Sequence, residues 1–452
     1  MGPSSSRGSF QGVGAGGGEL AAAVRTALDH DPTPHRCAVD ETALGEVSDV
    51  AVLIGLVREA LVHAVPGGVE RTPLPPLDRF QGRDPGRGEV AAVVFLAAAV
   101  HPRPQGEVVL GFLEVEEVRI RCPGALGVGD RFARAMRAAA REAVTDARQR
   151  GWRPGRRVGL LHATVLGDVD EWRDFYLTDG GQRRVRDYLT LMPSTPMSLF
   201  MQENGFHGPA MTVSAMCTSG NVGLITAKMW LDAGIVDDVV LVATDLSITP
   251  ENVEHFVRLG VSVVDTEPLD ACRPFQHGSR GFGAGEASIG FVLSRRCPRP
   301  YVQVLGGTMS HDAHHLTSVD PTLTQVQQCV REALHNAGVS ADEVDYLNAH
   351  GPGTQQCDSA ETTVLDQQLS SRPQVYSIKP LTGHCQGAAA AVEVAAAALG
   401  YEHGVIPAAP IVAAAHPRLL DGPTPMTGAI TLKTSLGMGG HNSAIVLAGT
   451  TP

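Results

Sequence analysis

The segment Thr212–Gly223, TVSAMCTSGNVG, decides how the rest of the chain is read. The run from Ala210 to Met216 predicts a strand that leads straight into Cys217. Thr218 or Ser219 can cap a helix from Ser219 to Ala233, which carries Val222, Ile225 and Met229 on one face and stops at Gly234. Cys217 is therefore expected on a sharp strand-to-helix turn. Unpaired N–H groups at a helix start favour a thiolate, lower its pKa and can donate to an oxyanion. The alternative for a lone cysteine is a small buried hydrophobe. The choice between them rests on what other parts of the chain supply.

Two histidines sit in comparable settings. DYLNAHGPGT (345–354) takes a predicted strand into His350, then a Gly/Pro loop and a helix. VYSIKPLTGHCQGAAAAVE (375–393) takes another strand into Lys379, then His384 at the head of an Ala-rich helix. Around these segments β and α patterns alternate. Strands are expected at Arg157–Ala163, Val239–Ala243, Ser288–Ser294, Tyr301–Gly306, Tyr346–Ala349, Val375–Ile378 and Ser443–Leu447. Helices are expected at Asp130–Arg150, Thr322–Ala337, Asp358–Leu369 and Gly387–Leu399. Such alternation predicts layered α/β architecture. In a mostly parallel sheet the strand ends share one edge, where α/β sites form. One cysteine and two histidines converging there make a nucleophile-and-base constellation.

The chain has 452 residues, 43% of them hydrophobic and 19% charged, enough for a large core and more than one structural unit. Its formal charge of −12 argues against nucleic acid as a partner. Eight scattered cysteines include no CxxC pair, which disfavours a disulfide framework and a structural zinc site and suits a reducing cytoplasm. The N-terminus lacks the apolar core of a signal peptide, and the longest apolar run, Val90–Val100, is too short to span a bilayer. No membrane partner is expected.

Residues 1–18 are Gly/Ser-rich and expected to be disordered, and 19–88 form an extension with two helical patterns followed by a Pro/Gly-rich stretch. Val90–Ala99 reads as a strand. RRCPRP (295–300) marks an internal boundary, with elements in similar order on both sides. The chain therefore divides into 89–297, carrying Cys217, and 298–452, carrying His350 and His384. GFGAGEASIG (281–290) has the glycines of a phosphate loop but leads into a strand instead of a helix. HDAHH (311–315) is either a metal-binding group or a polar turn cluster.

SAMCTSG, NAHGPGT with CDSAE after it, KPLTGHCQGAAAAVE and TSLGMGGHNSAIVL together resemble the Cys-His-His β-ketoacyl-[acyl carrier protein] synthases, above all the elongating type II enzymes and polyketide ketosynthases. The likeness runs in order from about Arg131 to the C-terminus and includes DACRPFQHGSRGFGAGEASIGFVL and SHDAHHLTS. It implies a thiolase-like fold, with two pseudo-symmetric βα halves in five α-β-α-β-α layers, and a dimer. Cys217 matches the acyl-accepting nucleophile, and His350 and His384 match the pair that assists decarboxylation. Lys379 matches the lysine near the second histidine, and Glu361 its carboxylate partner. The backbone N–H groups of Cys217 and Met438 match the oxyanion hole. Thr317 and Thr354 match contacts to the pantetheine arm, and Phe256 a mobile loop beside the pocket. The sequence departs from the family at Pro352, where threonine is usual, and at Leu436 and Met438, which replace two phenylalanines of the gate. Pro196 lies at the pocket end. These departures point to an unusual acyl chain or altered control of its access.

The implied reaction is acyl transfer to Cys217, then decarboxylative Claisen condensation with a malonyl carrier-protein thioester, in fatty acid or polyketide biosynthesis. It needs no metal or other cofactor of its own, because the phosphopantetheine belongs to the acyl carrier protein. Arg131, Arg134, Arg137 and Arg141 recur at helical spacing, with Arg119 and Arg121 before them. They form either a docking stripe for that acidic partner or an ordinary solvated face. Two alternatives remain: an acyltransferase or hydrolase that uses the acyl-cysteine without condensation, and a chain-length or scaffold subunit of a heterodimer.

Overall fold

The computed structural model describes residues 131–177, 185–266 and 268–450. The expectations for residues 1–18 and 19–88, the strand Val90–Ala99, and Arg119 and Arg121 lie outside the described residues. In the first part of the chain run α1 (Arg131–Gln149), β1 (Val158–Ala163), β2 (Ala210–Val213), α2 (Ser219–Asp232), β3 (Asp238–Asp245) and β4 (Ala287–Ser294). The second part contributes β5 (Val302–His311), α3 (Thr324–Ala337), β6 (Tyr346–Asn348), α4 (Gln355–Gln367), β7 (Gln374–Tyr376), α5 (Ala389–His403), β8 (Ile430–Gly437) and β9 (His441–Gly449).

The strands form two main sheets, ordered β2-β1-β3-β4 and β5-β9-β8-β6-β7. In the first, β2–β1 and β1–β3 are parallel and β3–β4 antiparallel. In the second, β7–β6 and β6–β8 are parallel and β8–β9 antiparallel. The same four-strand pattern thus occurs twice, and β5 extends the second copy. The first sheet's described strands end at Ser294 and the second's begin at Val302, on either side of RRCPRP.

Burial explains the layering. β1, β3 and β4 are buried at every residue, as strands covered on both faces must be. Helix α1 packs on β3 and β4, and α3 packs on β5 and β9. Between the sheets lie α2 and α5, which touch each other and strands of both sheets. Helix α5 is apolar around nearly its whole circumference and buried from Ala389 to Tyr401, the pattern of a helix with no solvent face. The two central helices approach closely because Gly220 has no side chain. A Cβ there would lie 2.6 Å from the backbone nitrogen of Ala391. This contact joins the first turns of α2 and α5. The segments leaving β2, β6, β7 and β8 converge on that point.

β2 is an edge strand, and Ala210, Met211 and Thr212 are exposed along it. Among the described residues no helix is long and apolar enough to cross a membrane.

Candidate active site

The chain turns sharply after β2. Met216 takes a left-handed conformation, φ +51°, which places the next residue at the head of α2. Thr218 and Ser219 do not cap that helix, contrary to the expectation from sequence. Both bond back to the strand end and brace the turn: Thr218 Oγ1 donates to the Ala215 carbonyl at 2.7 Å, and the Ala215 N–H donates to Ser219 Oγ at 2.8 Å. From β8, Ser435 Oγ donates to the Cys217 carbonyl at 3.1 Å. Cys217 is buried, and the backbone N–H groups of Met438 and of Cys217 itself both point at its sulfur.

His350 follows β6. Its backbone N–H and that of Gly351 donate to the two oxygens of Glu361 at 2.7 and 2.8 Å, and Thr434 Oγ1 donates to the same carboxylate at 2.6 Å. His384 follows β7 and is pinned by the glycine segment 281–290. Its N–H donates to the Gly283 carbonyl at 2.8 Å, and the Gly285 N–H returns a bond to its carbonyl at 3.1 Å. A Cβ on Gly285 would strike the Thr382 carbonyl, so this is a close-approach segment for His384 and not a phosphate loop. The His384 ring packs edge-on against Phe282, 4.7 Å between centroids, and Phe282 packs against Phe256 at 5.9 Å.

These elements bring the sulfur of Cys217 and one ring nitrogen each of His350 and His384 within 4.8 Å of one another. The two rings are 5.4 Å apart. Their tautomers follow from their neighbours. Lys379 Nζ lies 3.2 Å from His350 Nδ1, and the Gln386 N–H donates to His384 Nδ1 at 3.1 Å. Both Nδ1 atoms are therefore acceptors, which leaves the proton of each neutral ring on Nε2. Burial, reinforced by the Lys379 ammonium, holds both imidazoles well below the ordinary histidine pKa.

Two expectations are corrected here. Lys379 pairs with Glu393, not with Glu361, and also bonds the His350 carbonyl. Glu361 is taken up by the amides of His350 and Gly351, which leaves it no direct bond to the lysine. Glu393 is the last residue of the KPLTGHCQGAAAAVE segment, one helical turn into α5. A carboxylate in the first turns of α5, where every other residue from Ala389 to Ala398 is Ala or Val, is the signal that could have found it. The second correction concerns the thiol. Burial pushes the Cys217 pKa up to about 11, and Lys379 and the N–H groups of Met438 and Cys217 only partly oppose it. The helix start does not yield a resting thiolate. Alkylation by iodoacetamide is accordingly expected to accelerate about tenfold per pH unit across the neutral and mildly alkaline range, because the neutral thiol dominates until about 11. A plateau near neutrality would contradict this.

The remaining predicted residues separate. Met438 is at the sulfur, Leu436 is buried near the end of β8, and Phe256 reaches His384 through Phe282. Thr354 stands at the head of α4. Thr317 is exposed and donates its N–H to His315 Nδ1 at 3.2 Å. Pro196 is buried in the helix Ser194–Asn204. The HDAHH group closes β5 in a turn beside the glycine loop, where the Asp312 N–H donates to the Gly440 carbonyl at 2.8 Å and His311 packs against His441. Among the described residues it does not form a metal-spaced group. Of the four arginines in the expected stripe on α1, Arg131 pairs with Glu286 and Asp170, Arg137 and Arg141 both pair with Glu203, and Arg134 is exposed.

Comparison with known proteins follows the same lines. The family description "Beta-ketoacyl synthase, N-terminal domain" matches residues 126–297, and "Beta-ketoacyl synthase, C-terminal domain" matches 301–412. The ketoacyl synthase alpha subunit of the tetracenomycin polyketide synthase of Streptomyces glaucescens is 34% identical over 59% of this chain and 68% of its own length. The oxytetracycline polyketide putative beta-ketoacyl synthase 1 of Streptomyces rimosus is 33% identical over 68% and 79%. Among solved structures, a ketosynthase in complex with its chain length factor from Xenorhabdus doucetiae is 26% identical, with a TM-score of 0.61, over 72% of this chain and 82% of that one. The ishigamide ketosynthase/chain length factor superposes with a TM-score of 0.67 at 22% identity, over 80% and 100%. The chain therefore belongs to the β-ketoacyl synthase family, acyltransferases of thiolase-like fold that form carbon–carbon bonds.

Proposed function

We propose that Cys217 accepts the growing acyl group and that His350 and His384 drive condensation with a malonyl thioester, on a polyketide-type chain. The observation that carries this is the sulfur with two imidazoles whose Nε2–H groups are fixed by donors on their Nδ1 atoms. In loading, the Cys217 thiol displaces the carrier thiol from the acyl thioester, so one thiol proton replaces another and no net base is consumed. In extension, the C–C bond to the malonyl carboxylate breaks, CO2 leaves, and the electron pair becomes an enolate whose oxygen receives the two Nε2–H bonds. The enolate carbon then attacks the acyl carbonyl, and the oxyanion rests on the N–H groups of Cys217 and Met438. Collapse expels the Cys217 thiolate, which takes one proton from solvent to restore the thiol, as its raised pKa favours. Each oxyanion donor is worth roughly 10²–10³ in rate. This chemistry calls on no metal or redox cofactor of the chain itself, the phosphopantetheine being the carrier protein's.

The polyketide assignment is supported by the names of relatives such as the tetracenomycin and oxytetracycline synthases, although the chloroplastic 3-oxoacyl-[acyl-carrier-protein] synthase I of Hordeum vulgare is also 29% identical. One structural neighbour is a type II acyl-carrier protein in complex with its ketosynthase, which supports a carrier protein as partner. Arg134, exposed on α1, is the centre of the proposed docking stripe. The exposed edge β2 supports a dimer, and the ketosynthase/chain length factor neighbours favour a heteromeric one. A reducing compartment suits the free thiols of Cys217, Cys272, Cys297, Cys329, Cys357 and Cys385.

The test is intact-protein mass measurement after exposure to a panel of acyl thioesters, followed by malonyl carrier protein. The expected result is one acyl adduct on Cys217 that disappears as CO2 and a β-ketoacyl product form. Loss of the adduct to water or an amine without malonyl carrier protein would favour simple acyl transfer instead.

A further inference from the structure

Behind His350 lies a buried charge group larger than one ion pair. One oxygen of Glu393 bonds Lys379, and the other is 2.6 Å from the Nζ of Lys433. Lys433 sits in the middle of β8 with no solvent exposure, and its ammonium also bonds the Thr434 carbonyl. A lysine in the centre of a covered strand costs several kcal/mol of desolvation unless it is paired, so its presence calls for a role. Burial lowers its pKa, and the Glu393 contact raises it again. Its charge acts on both His350 and His384.

We infer that Lys433 is a positioning residue for the condensation site: by sharing Glu393 with Lys379 it leaves a net positive charge behind the imidazoles, which adds to burial in keeping both rings neutral. This rests on the reading of His350 and His384 as neutral Nε2–H donors. Lys379 and Lys433 act on both rings, and His384 acts on His350. Packed around them, Glu361 accepts from the His350 amide, Asp358 from the Gly353 amide, Glu393 from Lys379 and Asp245 from the Gly387 amide, and the sulfur of Cys217 lies beside both rings. With Lys433 present, Glu393 is shared between two ammonium groups. Without it Glu393 serves Lys379 alone, and the positive charge that adds to burial in disfavouring an imidazolium is smaller.

The experiment is a proton NMR titration of ring-labelled histidine in the full chain, with His350→Asn and His384→Asn variants to assign the two resonances. In the unaltered protein neither ring is expected to titrate between about pH 5.5 and 8. Lys433→Met should raise at least one of the two midpoints by about one unit or more. The acid limb of malonyl decarboxylation should move up by the same amount. The Lys433→Met/Glu393→Gln variant removes one charge of each sign and should return both toward their starting positions. A merely structural lysine would lower the melting temperature and leave the midpoints in place, which overturns the proposal. So does a double variant that shifts as far as the single one. If Lys433→Met does not fold, Lys433→Gln is read in its place, and failure of both to fold shows a structural role alone. The NMR arm needs no turnover. Shifted midpoints without condensation would refute the functional reading and leave this inference standing.

Discussion

Cys217→Ala removes the acyl adduct altogether and lowers condensation by about 10⁴-fold or more, because no other described thiol shares the two imidazoles and the amide pair. Decarboxylation of a malonyl thioester should persist in the same variant. The donors assigned to the enolate, His350 and His384, are held by Gln386, Lys379 and the loop 281–290, none of which depends on the sulfur. Trapped CO2 and the released acetyl thioester provide the measurement. The opposite result, a Cys217→Ala chain that supports full product formation within its complex, would move the protein to the chain-length or scaffold class.

Glu393→Ala carries the largest expected effect on stability. It leaves two buried ammonium groups, those of Lys379 and Lys433, without a counter-ion. Removing one partner of a buried pair costs about 3–5 kcal/mol, and here one carboxylate serves two cations. The urea midpoint should fall accordingly, with loss of decarboxylation as Lys379 swings from His350 Nδ1. Adding Lys433→Met should recover part of the stability, since only one cation then lacks its partner. If Glu393→Ala melted like the parent while Glu361→Ala did not, the pairing first expected from sequence would be reinstated.

Most of the layered fold was legible because its strands are short apolar runs and its helices have clear stops. Ala210–Val213, Asp238–Asp245 and Ala287–Ser294 lie within a few residues of expectation. β8 was missed for a physical reason. Thr431, Lys433, Thr434 and Ser435 leave it no apolar run, and periodicity cannot tell a lysine paired with a carboxylate on α5 from one that faces water. The helices Val169–Leu177, Ser194–Asn204 and Pro250–Arg258 were also missed, being short and only partly buried. The site triad was readable from position, since Cys217, His350 and His384 each follow a strand. The wiring behind it was not. Lys379 and Glu393 are only 14 residues apart, but which carboxylate meets the lysine depends on how the first turn of α5 folds back past it, which spacing does not show. The thiol's raised pKa was likewise hidden, because a helix start is visible in sequence but the depth of burial is not.

The seam at residues 295–300 invites treatment as a place to cut, yet the central layer forbids it. Each half contributes one of the two inner helices, and Gly220 seats the first turn of α2 against Ala391 of α5. Expressed separately, either fragment would present a bare helix that was never meant to meet solvent. A split protein should therefore be recoverable only by producing both fragments together, and a tag or reporter belongs anywhere but within α5.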